Sequence, residues 1–383
     1  MKKCILVIGV RRGCYQAALK LGHDVILWSD KKLNPKRKKD LLGFIEESYS
    51  ENFKGLSPSV INKLKEFKID RVVSNTEETV MLGAFVREHL GLKRLAADIT
   101  NRFHSKLVMK DFAMKCDVPI TKYKIVDDKT SAEDLVNYLG FPVVLKPVDD
   151  SGARDVKIAT MLSEVEEFMK PGLLAESFVK GREVSVETFV KDGVPIFHNI
   201  TEYLHQWRKS AVPAKLDPDL KAKIFALNDK VVKDFGVDRG MTHAEFYLTD
   251  DGPVFGEIAI RPPGGYYMEL ISKTYGFNAW ELYINICCGD NTDYQSIKED
   301  GCSGVFIIHP GDGVIKTIDG VDKIKEELQG IFEFSMRVEV GDTILPHETT
   351  SNEVGHILFW SPSRDQLDID FAYIESHLKF EFE

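Results

Sequence analysis

Residues 241–265 read M-T-H-A-E-F-Y-L-T-D-D-G-P-V-F-G-E-I-A-I-R-P-P-G-G. Two strand-forming runs flank Asp250-Asp251-Gly252, which suits a three-residue hairpin loop in which a type I turn is followed by a glycine in the left-handed region. Such a loop sets Thr249 opposite Pro253 and, counting outward, Glu245 opposite Glu257. Because side chains alternate along a strand, one face collects Ala244, Phe246, Leu248, Val254, Ile258 and Ile260, a surface fit for a core. The other face collects His243, Glu245, Glu257, Ala259 and Arg261. Two carboxylates opposed across a ladder stand roughly 5 Å apart and repel each other, so the pair asks for a cation between them. With oxygen ligands, no cysteine and at most one histidine nearby, Mg²⁺ or Mn²⁺ fits better than zinc. Mg²⁺ held by one or two carboxylates usually completes its shell with nucleotide phosphate and water. The bland alternative is a pair of solvated acids neutralised by Arg261 or a lysine, and the residues upstream weigh against it.

Upstream, F-P-V-V-L-K-P is a short apolar strand ending in Lys146 and Pro147, followed by D-D-S-G-A-R-D-V from Asp149 to Val156. A lysine at a strand end beside a small-residue loop describes a phosphate site, with a point charge and backbone N–H groups that can approach oxygens. With one glycine the loop alone reads equally as a plain turn. A strand at Leu173–Glu176 leads through Ser177–Gly181 into the strand Glu183–Val190, whose connection can meet an adenine edge while Glu183 accepts from ribose hydroxyls. Asn101–Lys115 reads as a basic helix. Thr201–Pro213 reads as a loop in which Arg208 or Lys209 binds a carboxylate.

Residues 1–98 alternate strand and helix: Cys4–Val10, a helix ending near Gly22, Asp24–Trp28, a helix at Val60–Phe67, and Arg71–Ser74. That alternation implies a parallel sheet covered on both faces. Ile8 to Gly13 lacks the spacing of a dinucleotide loop and reads as a tight turn. Glu77 and Glu78 follow a strand end where open α/β sheets place ligands, so Glu78 is a candidate substrate residue alongside a helix-capping role.

At 383 residues the chain calls for two or three domains, and its net charge of −10 argues against a nucleic-acid partner. No apolar run approaches the length of a membrane span. The six cysteines, at 4, 14, 116, 287, 288 and 302, have no metal-ligand spacing and fit a reduced cytoplasmic protein.

Taken in order, Lys106, L-G-F-P-V-V-L-K-P, S-G-A-R-D-V, E-S-F-V-K-G-R-E-V-S-V-E, A-E-F and E-I-A-I-R-P-P-G-G together resemble the ATP-grasp superfamily of ligases. Within it they resemble the L-amino acid ligase, or carboxylate–amine ligase, branch and the purine-biosynthetic carboxylating branch. The resemblance implies an α/β N-terminal domain at 1–98, an ATP-grasp domain at 99–290 with a lid at about 118–185, and a C-terminal α+β domain at 291–383. The nucleotide then lies between two α+β subdomains. It further implies ATP and Mg²⁺ (or Mn²⁺) as cofactors, small-molecule carboxylate and amine substrates, and the homodimerisation common among such proteins.

Carried over residue by residue, it assigns Lys106 and Lys146 to the ATP phosphates. Ser151, Gly152, Ala153, Arg154 and Val156 go to a cover over them. Glu176, Phe178 and Val179 go to adenine, Glu183 to ribose, Glu245 and Glu257 to Mg²⁺, and Arg261 to the transferred phosphoryl group. A metal-binding asparagine common two residues after the second glutamate is here Ala259. The expected reaction is formation of an acyl phosphate and its capture by an amine. Carboxylation through carboxyphosphate, a kinase reaction and an inactive nucleotide-binding module are the alternatives.

Overall fold

The computed structural model describes residues 1–149, 155–205, 208–290, 297–346 and 353–383. Among them, a parallel four-stranded sheet opens the chain, ordered Gly43–Glu46, Asp24–Ser29, Cys4–Ile8 and Arg71–Ser74. Helix Arg12–Lys20 and helix Glu77–His89 follow the first and last of these strands in sequence, so both begin at the carboxyl edge of the sheet.

The central element is an eight-stranded sheet. From one edge it runs Gly252–Ala259, Gly240–Thr249, Arg182–Lys191, Val194–His205, Lys209–Val212, Cys302–Ile308, Gly355–Ser361 and Ile331–Met336. Its last three strands come from the C-terminal region, so one sheet runs continuously from the hairpin to the tail. Helix Pro218–Phe235 covers one face. It starts because Asp217 accepts from the Asp219 N–H ahead of a first-turn proline, and it stops at Gly236, which takes φ +83°. Its Ile224, Val231, Val232 and Phe235 pack on Val184, Val186, Ala244, Phe246, Phe255 and Ile258.

The opposite face changes character along its length. Where helices Tyr267–Tyr275 and Ala279–Cys288 lie on it, it is apolar, with Phe189, Met241, Val305 and Leu358 in the core. Beyond their reach it carries Glu183, Ser185, Glu187, Thr201, Tyr203, His243, Glu245 and Glu257, which pairing across neighbouring strands puts on one side. A separate antiparallel sheet, Tyr123–Ile125, Leu173–Ser177, Val143–Pro147 and Lys157–Ala159, carries Glu176 and Lys146. Among the described residues no helix is long and apolar enough to cross a membrane.

Several elements differ from the sequence reading. The hairpin loop holds two residues, with Thr249 paired to Gly252 and not to Pro253. A bulge at Gly256 then adds one residue to the returning strand, so Glu245 still meets Glu257. Phe255 therefore takes the core place expected for Val254. A Cβ at position 256 would stand 3.1 Å from the Glu245 carbonyl oxygen, which favours glycine at the bulge. The basic helix expected over 101–115 is broken into Ala97–Asn101 and Lys106–Lys115. In the segment expected as a loop at 201–213, residues 201–205 belong to strand Val194–His205 and 209–212 form strand Lys209–Val212, while 206 and 207 lie outside the described residues.

Candidate active site

Register and alternation bring three acids together. Glu245 and Glu257 are direct cross-strand partners, and Glu183 pairs with Tyr247 on the neighbouring strand and points to the same side. Burial, reinforced by the charges of Glu245 and Glu257, pushes the Glu183 carboxyl up to about 8. Lys106 Nζ stands 3.7 Å from Glu257 Oε2, while the first helix turn sets Lys110 on the same side as Lys106.

Lys110 and Lys146 converge on one carboxylate. Lys146 Nζ lies 3.0 Å from Glu176 Oε2 and Lys110 Nζ lies 3.4 Å from Glu176 Oε1, all three side chains being largely buried. Burial alone would raise the Glu176 pKa, but the two ammonium groups hold it below the ordinary carboxylate range. Glu176, assigned to adenine in the sequence reading, is thus engaged in aiming two lysines. The Phe178 N–H is likewise committed, donating to the Pro142 carbonyl at 3.1 Å.

Behind the acids sits a satisfied polar layer. Glu187, fully buried, accepts from Ser185 Oγ at 2.7 Å, Asn199 Nδ2 at 2.7 Å and Thr201 Oγ1 at 2.6 Å. His243 bridges this layer to the site, with Nδ1 3.0 Å from Glu187 Oε1 and Nε2 3.4 Å from Glu245 Oε1. Burial opposes its charge, but these two carboxylates outweigh burial and lift the imidazole to about 9. Tyr203 Oη donates to Glu245 Oε1 at 3.3 Å.

Arg261 reaches the site from the next position on the hairpin face. Its Nε donates to Glu77 Oε2 at 2.7 Å and its Nη1 to the Pro262 carbonyl at 3.2 Å. Burial works against the charge of Glu77, yet Arg261 and His104 bring its pKa down to about 2. Arg11, from the turn after the first strand, donates to the same Pro262 carbonyl at 2.9 Å. Two guanidinium groups therefore share one acceptor, and burial followed by the charge of Arg261 lowers the Arg11 pKa to about 10.

Three residues expected at the substrate are not drawn into the cluster of Glu183, Glu245, Glu257 and Arg261. Arg208 donates through Nη2 to the His309 carbonyl at 2.8 Å, and Lys209 pairs with Glu375 of the C-terminal helix at 2.8 Å. Lys209 points away from the acids because its neighbour Ser210 faces them, bonded to Tyr267 Oη at 2.9 Å. Glu78 is exposed, and Glu77 is the acid of that pair which reaches Arg261. Ser151, Gly152, Ala153 and Arg154 of the expected phosphate cover lie outside the described residues; Val156 is half-buried just before strand Lys157–Ala159.

The donor set suits a hard divalent cation. Three convergent carboxylates, one of them driven toward its protonated form by burial and by the charges of the other two, are matched by added positive charge and offer only oxygen. Lys146 on the facing sheet and Lys106 on helix Lys106–Lys115 add a place for phosphate oxygens. Sequence reasoning missed Lys110, Glu187, Tyr203 and Arg11, and it named Glu77 beside Glu78 without its tie to Arg261. Lys110 had a signal in its one-turn spacing from Lys106, and Glu187 in its alternation with Glu183 and Ser185.

Comparison with known proteins gives a consistent picture. Residues 111–272 match the ATP-grasp domain and residues 305–383 match the L-amino acid ligase C-terminal domain 2. The chain is 25% identical over 332 residues to an L-arginine-specific L-amino acid ligase of Bacillus subtilis, covering 82% of this chain and 80% of that protein. Among solved structures, L-amino acid ligase from Bacillus licheniformis superposes with a TM-score of 0.85 at 20% identity, covering 100% of this chain and 99% of the other. N5-carboxyaminoimidazole ribonucleotide synthetase from Thermotoga maritima gives a TM-score of 0.77 at 18% identity, with 100% of both chains covered.

Proposed function

We propose that this chain, which carries an ATP-grasp domain followed by an L-amino acid ligase C-terminal domain, is an ATP- and Mg²⁺-dependent ligase joining a small carboxylic acid to an amine. The observation that carries this reading is the facing arrangement of Glu183, Glu245 and Glu257 on one sheet and Lys146, held by Glu176, on the other.

In the first step a substrate carboxylate oxygen attacks the γ-phosphorus of ATP, the bond to the β,γ-bridging oxygen breaks, and ADP leaves. In the second an amine attacks the acyl carbon, phosphate departs with the carboxylate oxygen, and the nitrogen gives up a proton to form the amide. Phosphoryl transfer of this kind depends on positioning and charge neutralisation more than on protein nucleophiles. Lys106 and Lys146 bind phosphate oxygens. Glu245 and Glu257 would hold Mg²⁺ or Mn²⁺, which would supply neutralisation of the phosphate charge.

Arg261 stabilises the charge that develops on the transferred phosphoryl, and Arg11 beside it extends the cationic wall toward the substrate carboxylate. Phe178 and Val179 border the adenine through backbone, and 151–156 covers the phosphates. Glu183 accepts from the ribose hydroxyls once its acidic neighbours are neutralised. The same reading divides the chain at about 98 and 290, with a lid at about 118–185. It sets the protein in a reducing cytoplasm, as the six free thiols favour.

The reading is tested by following phosphate release from ATP while amino acids, amines or bicarbonate are added. A ligase releases phosphate only when acid and amine are both present. Release on bicarbonate alone would instead support a carboxylase, and a phosphorylated product without free phosphate a kinase; either result rejects the proposal.

A further inference from the structure

At the opposite end of strand Arg71–Ser74 from the catalytic centre, a cavity of about 360 Å³ lies between the first parallel sheet and the residues that lead into strand Gly240–Thr249. Its size falls in the range of roughly 300–1,000 Å³ typical of small-molecule sites. Five cations line it. Two are already neutralised: Arg94 by Asp238, and Arg239 by Asp192.

The other three are not. Arg87 is 93% buried, yet its Nε and Nη2 meet only the Leu95 carbonyl, at 3.3 and 3.2 Å. Arg71 likewise spends its donors on carbonyls, Nε on Cys288 at 3.3 Å and Nη1 on Asp70 at 2.7 Å. Neither forms an ion pair among the described residues, nor does the exposed Lys93. The remaining acid of the lining, Asp70, accepts from the Cys4 N–H at 2.8 Å and offsets one positive charge, which leaves the three cations in excess. A guanidinium removed from water without a counter-charge costs several kcal/mol, so its retention asks for an anion.

A second observation points to a ligand at the same place. The cavity adjoins a smaller void of about 40 Å³ that shares Arg87, Leu95, Arg239 and Cys287 and extends to Ser74, whose buried Oγ has no hydrogen-bond partner. A hydroxyl left this way loses the full benefit of hydration, whereas an anion or its water at Arg87 would restore an acceptor.

We propose that this cavity is a second binding site, distinct from the nucleotide site, for a small multivalent anion bearing a phosphate or paired carboxylates and gripped by Arg71, Arg87 and Lys93. Leu92, Leu95 and Val72 supply the apolar wall against which a short carbon skeleton rests.

Calorimetric titration of the full chain, saturated with ADP and Mg²⁺ to fill the nucleotide site, tests this with glycerol phosphate in one arm and succinate in the other. Binding in either arm is expected, and the tighter arm identifies the ligand chemistry. The Arg71→Gln/Lys93→Gln double variant is expected to bind about tenfold or more weakly, the scale of losing charged hydrogen bonds, with unchanged turnover in buffer free of added glycerol phosphate and succinate. Should that variant melt early, Lys93→Gln alone, an exposed change, is expected to weaken binding by a smaller factor. An Arg261→Ala protein is expected to bind as tightly as the parent. Absence of binding in both arms, or binding lost in Arg261→Ala and kept in the double variant, would overturn the site.

Discussion

Glu183 and Glu187 leave the same face of one strand with only Ser185 between them on that face, yet they live in opposite electrostatic worlds. Glu187 is closed off by three donors and the His243 ring, so its charge is fully met by the protein. Glu183 meets Glu245 and Glu257 instead and is driven toward its neutral form by burial and by their charges. The difference teaches where the fold stops satisfying itself. A carboxylate with every lone pair occupied is architecture, and one facing its own kind is a place kept for something that arrives from solution.

The largest effect expected from breaking this contrast is on turnover. Glu257→Gln should reduce kcat by about 10²–10³-fold, the scale found for groups that stabilise transition-state charge. Its melting temperature in metal-free buffer should stay level or rise, because a repulsion has gone. A large fall in melting temperature would mean that Glu257 belongs with Glu187. The converse change, Glu187→Gln, should lower stability by about 1–3 kcal/mol in a denaturant melt, since the new NH₂ faces donors that lose their acceptor. An unaltered midpoint would deny Glu187 its structural role.

The smallest effect is on pH dependence. Both Glu183, lifted from 4.5 to about 8, and His243, lifted from 6.5 to about 9, hold protons in the fold that the unfolded chain releases. A raised folded pKa gives stability that is present below the unfolded value and is lost as pH climbs through the folded one. Without metal, these two groups should therefore make stability decline between about pH 5 and 9. Adding Mg²⁺ should flatten the part below pH 8 by replacing the Glu183 proton, and melting curves across pH with and without Mg²⁺ measure it. Identical pH profiles with and without the ion would contradict a cation among the three acids.

Much of the hairpin was legible because alternation and turn chemistry are local. The Glu245–Glu257 pairing was read correctly through two departures that cancel, a loop one residue shorter than expected and a bulge at Gly256 that restores the count. Strand Val194–His205 escaped because both of its faces are polar near the end. Thr201 and Tyr203 face the site, and Glu202 on the other side is held by Arg182 and Arg364, so no period of two stands out. Glu77 and Glu78 could not be separated in sequence: a helix turns about 100° per residue, and only the distant Arg261 decides which of them points inward. The fate of Arg208 and Lys209 likewise depended on His309 and Glu375, far away in the chain.

Strand Gly252–Ala259 ends the eight-stranded sheet, and its outer rim is stitched at one point to the root of the lysine-bearing segment, where the Phe255 N–H donates to the Pro119 carbonyl at 2.8 Å and Ile120 bridges Phe255. Glu257 lies two positions beyond that stitch, and Lys146 is carried on the segment that starts from it. The two halves of the cleft thus share a common datum, and the gap between Lys146 and Glu257 is gauged from one seam.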